Sequence, residues 1–362
     1  EVDPGGVPVE GLEILEFAKA DLIEFDGSGR AGRVLYTKRG AIDQKLPGEP
    51  GEAVLKRGGL LIMAAGALIT PRLLFLSGVG PRGLESEIFP GQQVPPFAID
   101  NQRVGAGLFD HVMTMVTYGY DGKIPYQAYN YGDYDGNEAQ IAEYLESGSG
   151  PYAQYQPVSI LNYRYNSDVP NVEVFINPNG AGTPGGPYYG PNTLSVFIML
   201  LNPRSRGLLT LDENGNVRYP NIYMPPDTPQ GQEDIELMAR AVYDIIQLLE
   251  KDPGLGIVFG PGSQSHPNLD PDNFDDVRTY VTSPSPVDGV YYSRLTINHW
   301  GGTAPLTDGP GGVDPETLIL RGTENVAVVD ASLIPTIVPA HPVGTIMAVA
   351  DRAADILTGR WT

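Results

Sequence analysis

The sequence has no cysteine. That excludes thiolate nucleophiles, disulfides, thiolate zinc sites and iron–sulfur clusters, and it leaves the compartment open. Histidine is scarce: His111, His266, His299 and His341 are the four in 362 residues. They form no HxH or HExxH pattern and no EF-hand loop occurs, so no metal site is expected. Basic charge is short as well, with 23 Lys and Arg against 44 Asp and Glu and a formal net charge of −21. So acidic a chain is repelled by polyanions, which argues against nucleic acid or an anionic membrane surface as partner. Long apolar runs are missing. The longest, Leu60–Ile69, is too short to span a bilayer. The chain opens on Glu1 without a signal-like segment, which reads as a processed product or a fragment.

What is present is a loop-rich globular composition. Hydrophobic residues make up 41%, too many for a disordered acidic tail, and 45 Gly with 34 Pro are well above the usual share. Three zones differ in texture. Over residues 1–116, Glu13–Asp26 alternates as a strand, turns at Asp26-Gly27 and leads to a second strand, Arg33–Tyr36. Leu60–Ala64 reads as a strand buried on both faces, Ala65-Gly66-Ala67 as a tight turn, and Thr70-Pro71 as the start of a helix through Leu76. Strand, small-residue turn and helix are the grammar of an α/β sheet.

Residues 117–225 hold most of the 20 tyrosines, with Gly- and Pro-rich stretches at Tyr126–Tyr134 and Gly180–Pro191. Val172–Ile176 and Leu194–Leu201 read as strands, and Gly207–Leu211 with Asn216–Tyr219 as a hairpin, giving an antiparallel sheet with long loops. The tyrosines are read as aromatic packing in preference to a carbohydrate-stacking surface. In the last zone, Ile235, Met238, Ala239, Val242, Ile245, Ile246 and Leu249 form the stripe of an amphipathic helix over Gln232–Lys251. Val326–Val329 is an apolar strand. Thr345–Leu357 is a helix with Ile346, Val349, Ala350, Ala353 and Ile356 inward.

Without cysteine, proton transfer near neutral pH falls to histidine or a perturbed carboxylate. His299 lies in Ile297-Asn298-His299-Trp300-Gly301-Gly302, between a bulky aromatic and glycines that allow close backbone approach. His341 lies in Pro339-Ala340-His341-Pro342-Val343, directly before the last helix, whose first N–H groups favour negative charge. His266 is assigned to a surface loop. His111 follows Asp110, and this pair is expected to anchor a loop. Gly105–Gly107 is no phosphate loop, and Ser77-Gly78-Val79-Gly80 is no nucleophile elbow.

Three segments resemble one family. Ala65-Gly66-Ala67-Leu68-Ile69-Thr70-Pro71-Arg72-Leu73-Leu74-Phe75-Leu76-Ser77-Gly78-Val79-Gly80-Pro81 is similar to the second signature of the glucose–methanol–choline (GMC) flavin oxidoreductases. Asn202-Pro203-Arg204-Ser205-Arg206-Gly207 resembles that family's entry into a substrate-domain strand. Val328-Val329-Asp330-Ala331-Ser332-Leu333-Ile334-Pro335, followed by His341, resembles its C-terminal flavin-contacting segment. The Asn298-His299-Trp300 and His341-Pro342 contexts look closest to the cellobiose dehydrogenase branch.

The resemblance implies FAD as cofactor and oxidation of an alcohol or sugar hydroxyl by hydride transfer, with His299 as base and His341 as its partner on the same oxygen. It places Asp330 and Ala331 along the ribityl–diphosphate part, Pro342 and Val343 against the flavin ring, and Ala20, Ala65 and Gly66 near the adenine end. The implied fold is mixed α/β. Residues 1–116 and 300–362 would form a partial FAD-binding domain, and 117–299 an antiparallel-sheet substrate domain.

The family's opening unit, a strand followed by G-x-G-x-x-G at the start of a helix, is expected to be missing from the chain. A companion polypeptide would then supply it, and this chain alone would not retain FAD. An extracellular location, a small-molecule substrate and no membrane partner complete the expectation. Two other readings stand beside it. One is a hydroxynitrile-lyase-like member with redox-silent FAD; the other is a non-catalytic interaction protein that kept the scaffold.

Overall fold

The computed structural model describes residues 11–39, 48–121, 137–153, 159–177, 193–219, 222–260, 269–282 and 295–361. His266, Tyr126–Tyr134 and Gly180–Pro191 lie outside the described residues.

The first described elements form an antiparallel hairpin. Ala18–Phe25 pairs with Ala31–Lys38, and Glu49–Val54 adds a third strand. Asp26 shapes the turn by accepting from the backbone N–H of Ser28 at 2.9 Å and of Arg30 at 3.0 Å. The first strand begins at Ala18, later than the sequence suggests, because Phe17 sits at φ +57° and breaks the extended run.

The bare G-x-G-x-x-G spacing does occur, as Gly27–Gly32, Gly78–Gly83 and Gly180–Gly185. Gly27–Gly32 spans the hairpin turn and Gly78–Gly83 straddles the two-residue strand Val79–Gly80, while the third lies outside the described residues. Neither described stretch follows a strand and opens a helix, which is the context that binds a dinucleotide.

Leu61–Met63 pairs in parallel with Val326–Val328, so the two ends of the chain share a sheet, and helix Ile69–Leu76 follows through Gly66 at φ +87°. The strand is not buried on both faces as expected. Met63 is 3% exposed but Ile62 is 49% exposed, because one face alone packs on the core. That core gathers Ile23, Leu74, Phe75, Leu108, Val326 and Leu333, together with Leu209 and Leu211 from the middle of the chain.

The middle of the chain builds a six-stranded sheet. Its central strand, Val112–Tyr120, is buried throughout. Thr193–Leu200, Val172–Asn177 and Ser159–Tyr163 continue on one side; Ile257–Phe259 and Leu295–Thr296 pair with the central strand on the other, all antiparallel. Helix Pro229–Glu250 covers one face, seating Ile235, Met238, Val242 and Ile246 against Val116, Tyr118, Val174 and Val196. It starts three residues earlier than predicted. Thr228 caps it, its hydroxyl accepting from Gly231 N–H at 3.0 Å, and Pro229 fits the first turn, where no N–H is needed.

Two further predictions are corrected. Thr210–Leu211 pairs with Val217–Arg218 as expected, but Gly207–Leu208 leaves that hairpin to pair with Ala106–Leu108. In the terminal helix, Val343–Trp361, Ala353 and Leu357 are buried while Ala350 is exposed, so the inward stripe is narrower than the pattern implied. The architecture is mixed α/β with several antiparallel sheets, as the sequence indicated.

Candidate functional site

Three segments meet at the start of the central strand Val112–Tyr120: Phe109–His111, Thr296–Gly302 and Val338–Val343. Asp110 organises the first two. One carboxylate oxygen accepts from the Tyr223 hydroxyl at 2.7 Å and the Thr296 hydroxyl at 2.6 Å; the other accepts from the backbone N–H of His299 at 2.8 Å. Burial still pushes the Asp110 carboxyl above its ordinary value, although these donors pull it down. Phe109 and Gly301 exchange backbone hydrogen bonds at 3.2 and 3.1 Å. Gly301 permits this approach, since a Cβ there would fall 2.4 Å from the Phe109 ring. Trp300 donates from Nε1 to the Tyr223 hydroxyl at 3.3 Å, which ties the residue after His299 to the same network.

These restraints converge on histidine. His299 and His341 lie edge to face with ring centroids 4.8 Å apart, and His299 and His111 likewise at 5.1 Å. The Nδ1 atoms of His111 and His299 are 2.8 Å apart. His111 is fully buried, and its Nε2 lies 3.0 Å from the Leu201 carbonyl oxygen and 3.1 Å from that of Val338. His341, about half exposed, places Nε2 2.9 Å from a carboxylate oxygen of Glu173. Burial first, and the neighbouring imidazoles second, push both His111 and His299 down to about 4. Both are therefore neutral at physiological pH. The arrangement gathers three imidazoles, two of them largely buried, whose ring nitrogens can accept or donate a proton.

The two histidines singled out in the sequence, 42 positions apart, thus come together. His111 does more than anchor a loop: its ring bonds His299. Chain adjacency to Asp110 gave no sign of this, because the partner lies 188 positions away. Glu173 was also missed, although a signal existed. It interrupts the apolar run Val172–Ile176, and a charge inside a buried strand needs a partner.

Of the residues that the resemblance assigns to the cofactor, Gly66, Asp330 and Ala331 are linked by hydrogen bonds that run to the His299 loop. Asp330 accepts from the backbone N–H of Gly66 at 2.9 Å and the Thr70 hydroxyl at 2.5 Å, and its other oxygen accepts from Ser332. The Ala331 carbonyl accepts from Gly302 N–H at 3.3 Å, and the Thr303 hydroxyl donates to the Ala67 carbonyl at 2.7 Å. Ala20 and Ala65 line one cleft of about 270 Å³ with Leu61, Ile62 and Leu73. Pro342 is half-buried, and Val343 is 66% exposed at the start of the terminal helix. Among the described residues no side-chain group has the make-up of a metal site, and no helix is long and apolar enough to cross a membrane.

Residues 203–350 match the family model described as GMC oxidoreductase, in its C-terminal part. The oxygen-dependent choline dehydrogenase of Pectobacterium carotovorum subsp. carotovorum (strain PC1) is 25% identical over 356 residues, 97% of this chain and 57% of that protein. Among solved structures, an Aspergillus oryzae RIB40 formate oxidase variant, studied for FAD modification, aligns with TM-score 0.69 at 20% identity, covering 95% of this chain and 60% of that one. A fungal aryl-alcohol oxidase aligns with TM-score 0.67 at 22% identity, covering the same shares. The likeness to both is one of fold. The chain spans somewhat over half the length of these relatives.

Proposed function

We propose, from the match of residues 203–350 to the GMC oxidoreductase family model, that the chain is part of a GMC oxidoreductase and acts in FAD-dependent oxidation of an alcohol or sugar hydroxyl, with His299 as base and His341 as partner. The carrying observation is the approach of His299 and His341 to 4.8 Å between ring centroids. The names of the choline dehydrogenase and aryl-alcohol oxidase support an alcohol substrate, and that of the formate oxidase supports FAD.

The residues fit that cofactor. The apolar cleft at Ala20 and Ala65 suits a flat adenine, and the exposed apolar side chains Ile62, Val343 and Met347 suit cover by an apolar ring. Asp330 and Ala331 would follow its ribityl–diphosphate part, and Pro342 and Val343 its ring edge, with the open backbone at Gly66 towards the adenine end. Bound FAD supplies the hydride acceptor. The strand–glycine turn–helix unit would come from a further segment or a companion polypeptide, which intact mass spectrometry of the native protein tests. An extracellular location belongs to the same reading and is tested by fractionation.

Within this chain, His299 in its neutral form takes the hydroxyl proton as the carbon gives up its hydride. His341 holds the same oxygen, and the Asp110 network keeps the His299 loop in register with it. The test is the reductive half-reaction of the full-length, FAD-loaded protein. His299→Ala is expected to slow flavin reduction about 10²- to 10⁴-fold, the usual worth of a positioned base. His341→Asn should be milder, since the amide still bonds the oxygen. Variants that melt early yet reduce flavin at the parental rate would overturn the assignment. FAD that no alcohol reduces, with cyanohydrin cleavage intact, would turn the reading to a lyase.

A further inference from the structure

Three distances locate the protons of the histidine cluster. The Nε2 of His111 lies between the carbonyl oxygens of Leu201 and Val338, at 3.0 and 3.1 Å. Carbonyl oxygens only accept, so this nitrogen carries a hydrogen and shares it between them. The other nitrogen, Nδ1, is 2.8 Å from the Nδ1 of His299, and one hydrogen must lie between the two. Two assignments satisfy that contact. If His111 donated it, His111 would carry hydrogens on both nitrogens and be a cation. Yet it is fully buried, and the adjacent Asp110 carboxylate is committed to Tyr223, Thr296 and the His299 backbone. A buried imidazolium without a counter-charge is costly, so His111 is neutral and its Nδ1 is bare. The hydrogen then belongs to His299, which donates from Nδ1. A neutral His299 that donates from Nδ1 has a bare Nε2.

We propose that His111 is the positioning residue of the base: by accepting from Nδ1 of His299, it holds His299 in the tautomer whose unprotonated Nε2 takes the substrate proton. The consequence for catalysis rests on the function proposed above; the tautomer itself does not. With the opposite tautomer His299 would present an N–H to the hydroxyl and could not receive its proton. His111 thus acts through His299 and need not touch substrate. The backbone bond from His299 to Asp110 fixes where the ring is, and His111 fixes which nitrogen is free.

Long-range nitrogen–proton NMR of the histidine rings, in the full-length protein with and without FAD, tests the tautomer directly. The His299 signals are identified by their loss in His299→Ala. A protonated Nδ1 and a bare Nε2 at pH 7 are expected; the reverse pattern overturns the proposal. In His111→Leu, which removes the acceptor, the His299 signals should move to the other tautomer or a mixture. Flavin reduction should fall about 10²-fold or more. His111→Asn, whose amide oxygen can accept from Nδ1–H, should restore the tautomer and part of the rate. Should His111→Leu fail to fold, the parental spectrum and His111→Asn still decide. An unchanged His299 tautomer in His111→Leu overturns the proposal. The expected tautomer combined with parental flavin reduction in His299→Ala would remove the base itself, and with it the positioning role, a failure distinguishable from the first.

Discussion

Glu173 and His341 meet across the site, Nε2 to carboxylate oxygen, at 2.9 Å, with the Glu173 side chain only 9% exposed. Strand alternation explains how a carboxylate reaches this place. In Val172–Asn177, Val172 and Val174 face the helix-covered core, while Glu173 and Phe175 face the other side, where Phe175 stacks on Phe197 with centroids 5.0 Å apart. The pairing ties the six-stranded sheet to the segment that leads into the terminal helix.

If this contact is a functional pair, its energy must be coupled. Glu173→Gln keeps the shape and removes the charge, and His341→Asn removes the imidazole. A double-mutant cycle on unfolding free energy is expected to give a coupling of about 1.5–3 kcal/mol, the range of hydrogen bonds to charged groups. Additive effects within about 0.5 kcal/mol would show that the two side chains act independently.

The lowered His111 predicts a pH dependence of stability with a definite sign. Its folded value is about 4 against an ordinary 6.5, so the unfolded chain binds the proton more readily between those limits. The stability contributed by neutral His111 is complete above pH 6.5 and is lost as pH falls towards 4. The slope is at most about 1.4 kcal/mol per pH unit for one proton. Asp110, whose carboxyl is raised by burial, works in the opposite direction, so the difference between parent and His111→Asn is the quantity to measure. Denaturant unfolding from pH 7.5 to 4.5 should show the parent losing stability faster than the variant. Parallel curves would count against a buried neutral His111.

Much of the fold was legible because periodicity is local. The stripe of Ile235, Met238, Val242 and Ile246 and the alternation in Ala18–Phe25 carry their own geometry. Candidate residues stood out where chemistry is rare: with four histidines and no cysteine, His299 and His341 were singled out, and their rings lie together. The parts that escaped depend on contacts distant in sequence. Gly207–Leu208 pairs with Ala106–Leu108 and not within its own hairpin, and His111 and Glu173 find partners 188 and 168 positions away. Ile62 reads as buried from its apolar neighbours, yet one side of its short strand is open.

Asp110→Asn tests whether the His299 loop is held by charge or by shape. The carboxylate accepts from two hydroxyls and one backbone N–H, whereas an amide turns one acceptor into a donor and faces it towards another donor. A loss of about 1–3 kcal/mol in unfolding free energy is expected, with slower flavin reduction because His299 loses its backbone tether. Parental stability and rate together would show that the loop is held by packing alone.

Two glycines with the same backbone sign separate strain from crowding. Gly66 sits at φ +87° with nothing within 4 Å of an added Cβ. Gly302 sits at φ +79°, but its Cβ would meet the Gly107 carbonyl oxygen at 2.7 Å and the Phe109 ring at 2.8 Å. Alanine at Gly66 therefore carries only the left-handed backbone penalty, about 1–2 kcal/mol. Alanine at Gly302 carries that penalty and also pushes Phe109 and the 105–107 segment away from the loop behind His299. Because Gly302 N–H donates to the Ala331 carbonyl, the displacement passes into the Asp330–Ala331 segment, which the proposed reading gives to the cofactor. Thermal unfolding should thus rank parent, Gly66→Ala and Gly302→Ala in falling order, and Gly302→Ala should also bind FAD more weakly. Equal melting temperatures for the two variants would mean that Phe109 yields without cost and that this side of the site is not close-packed.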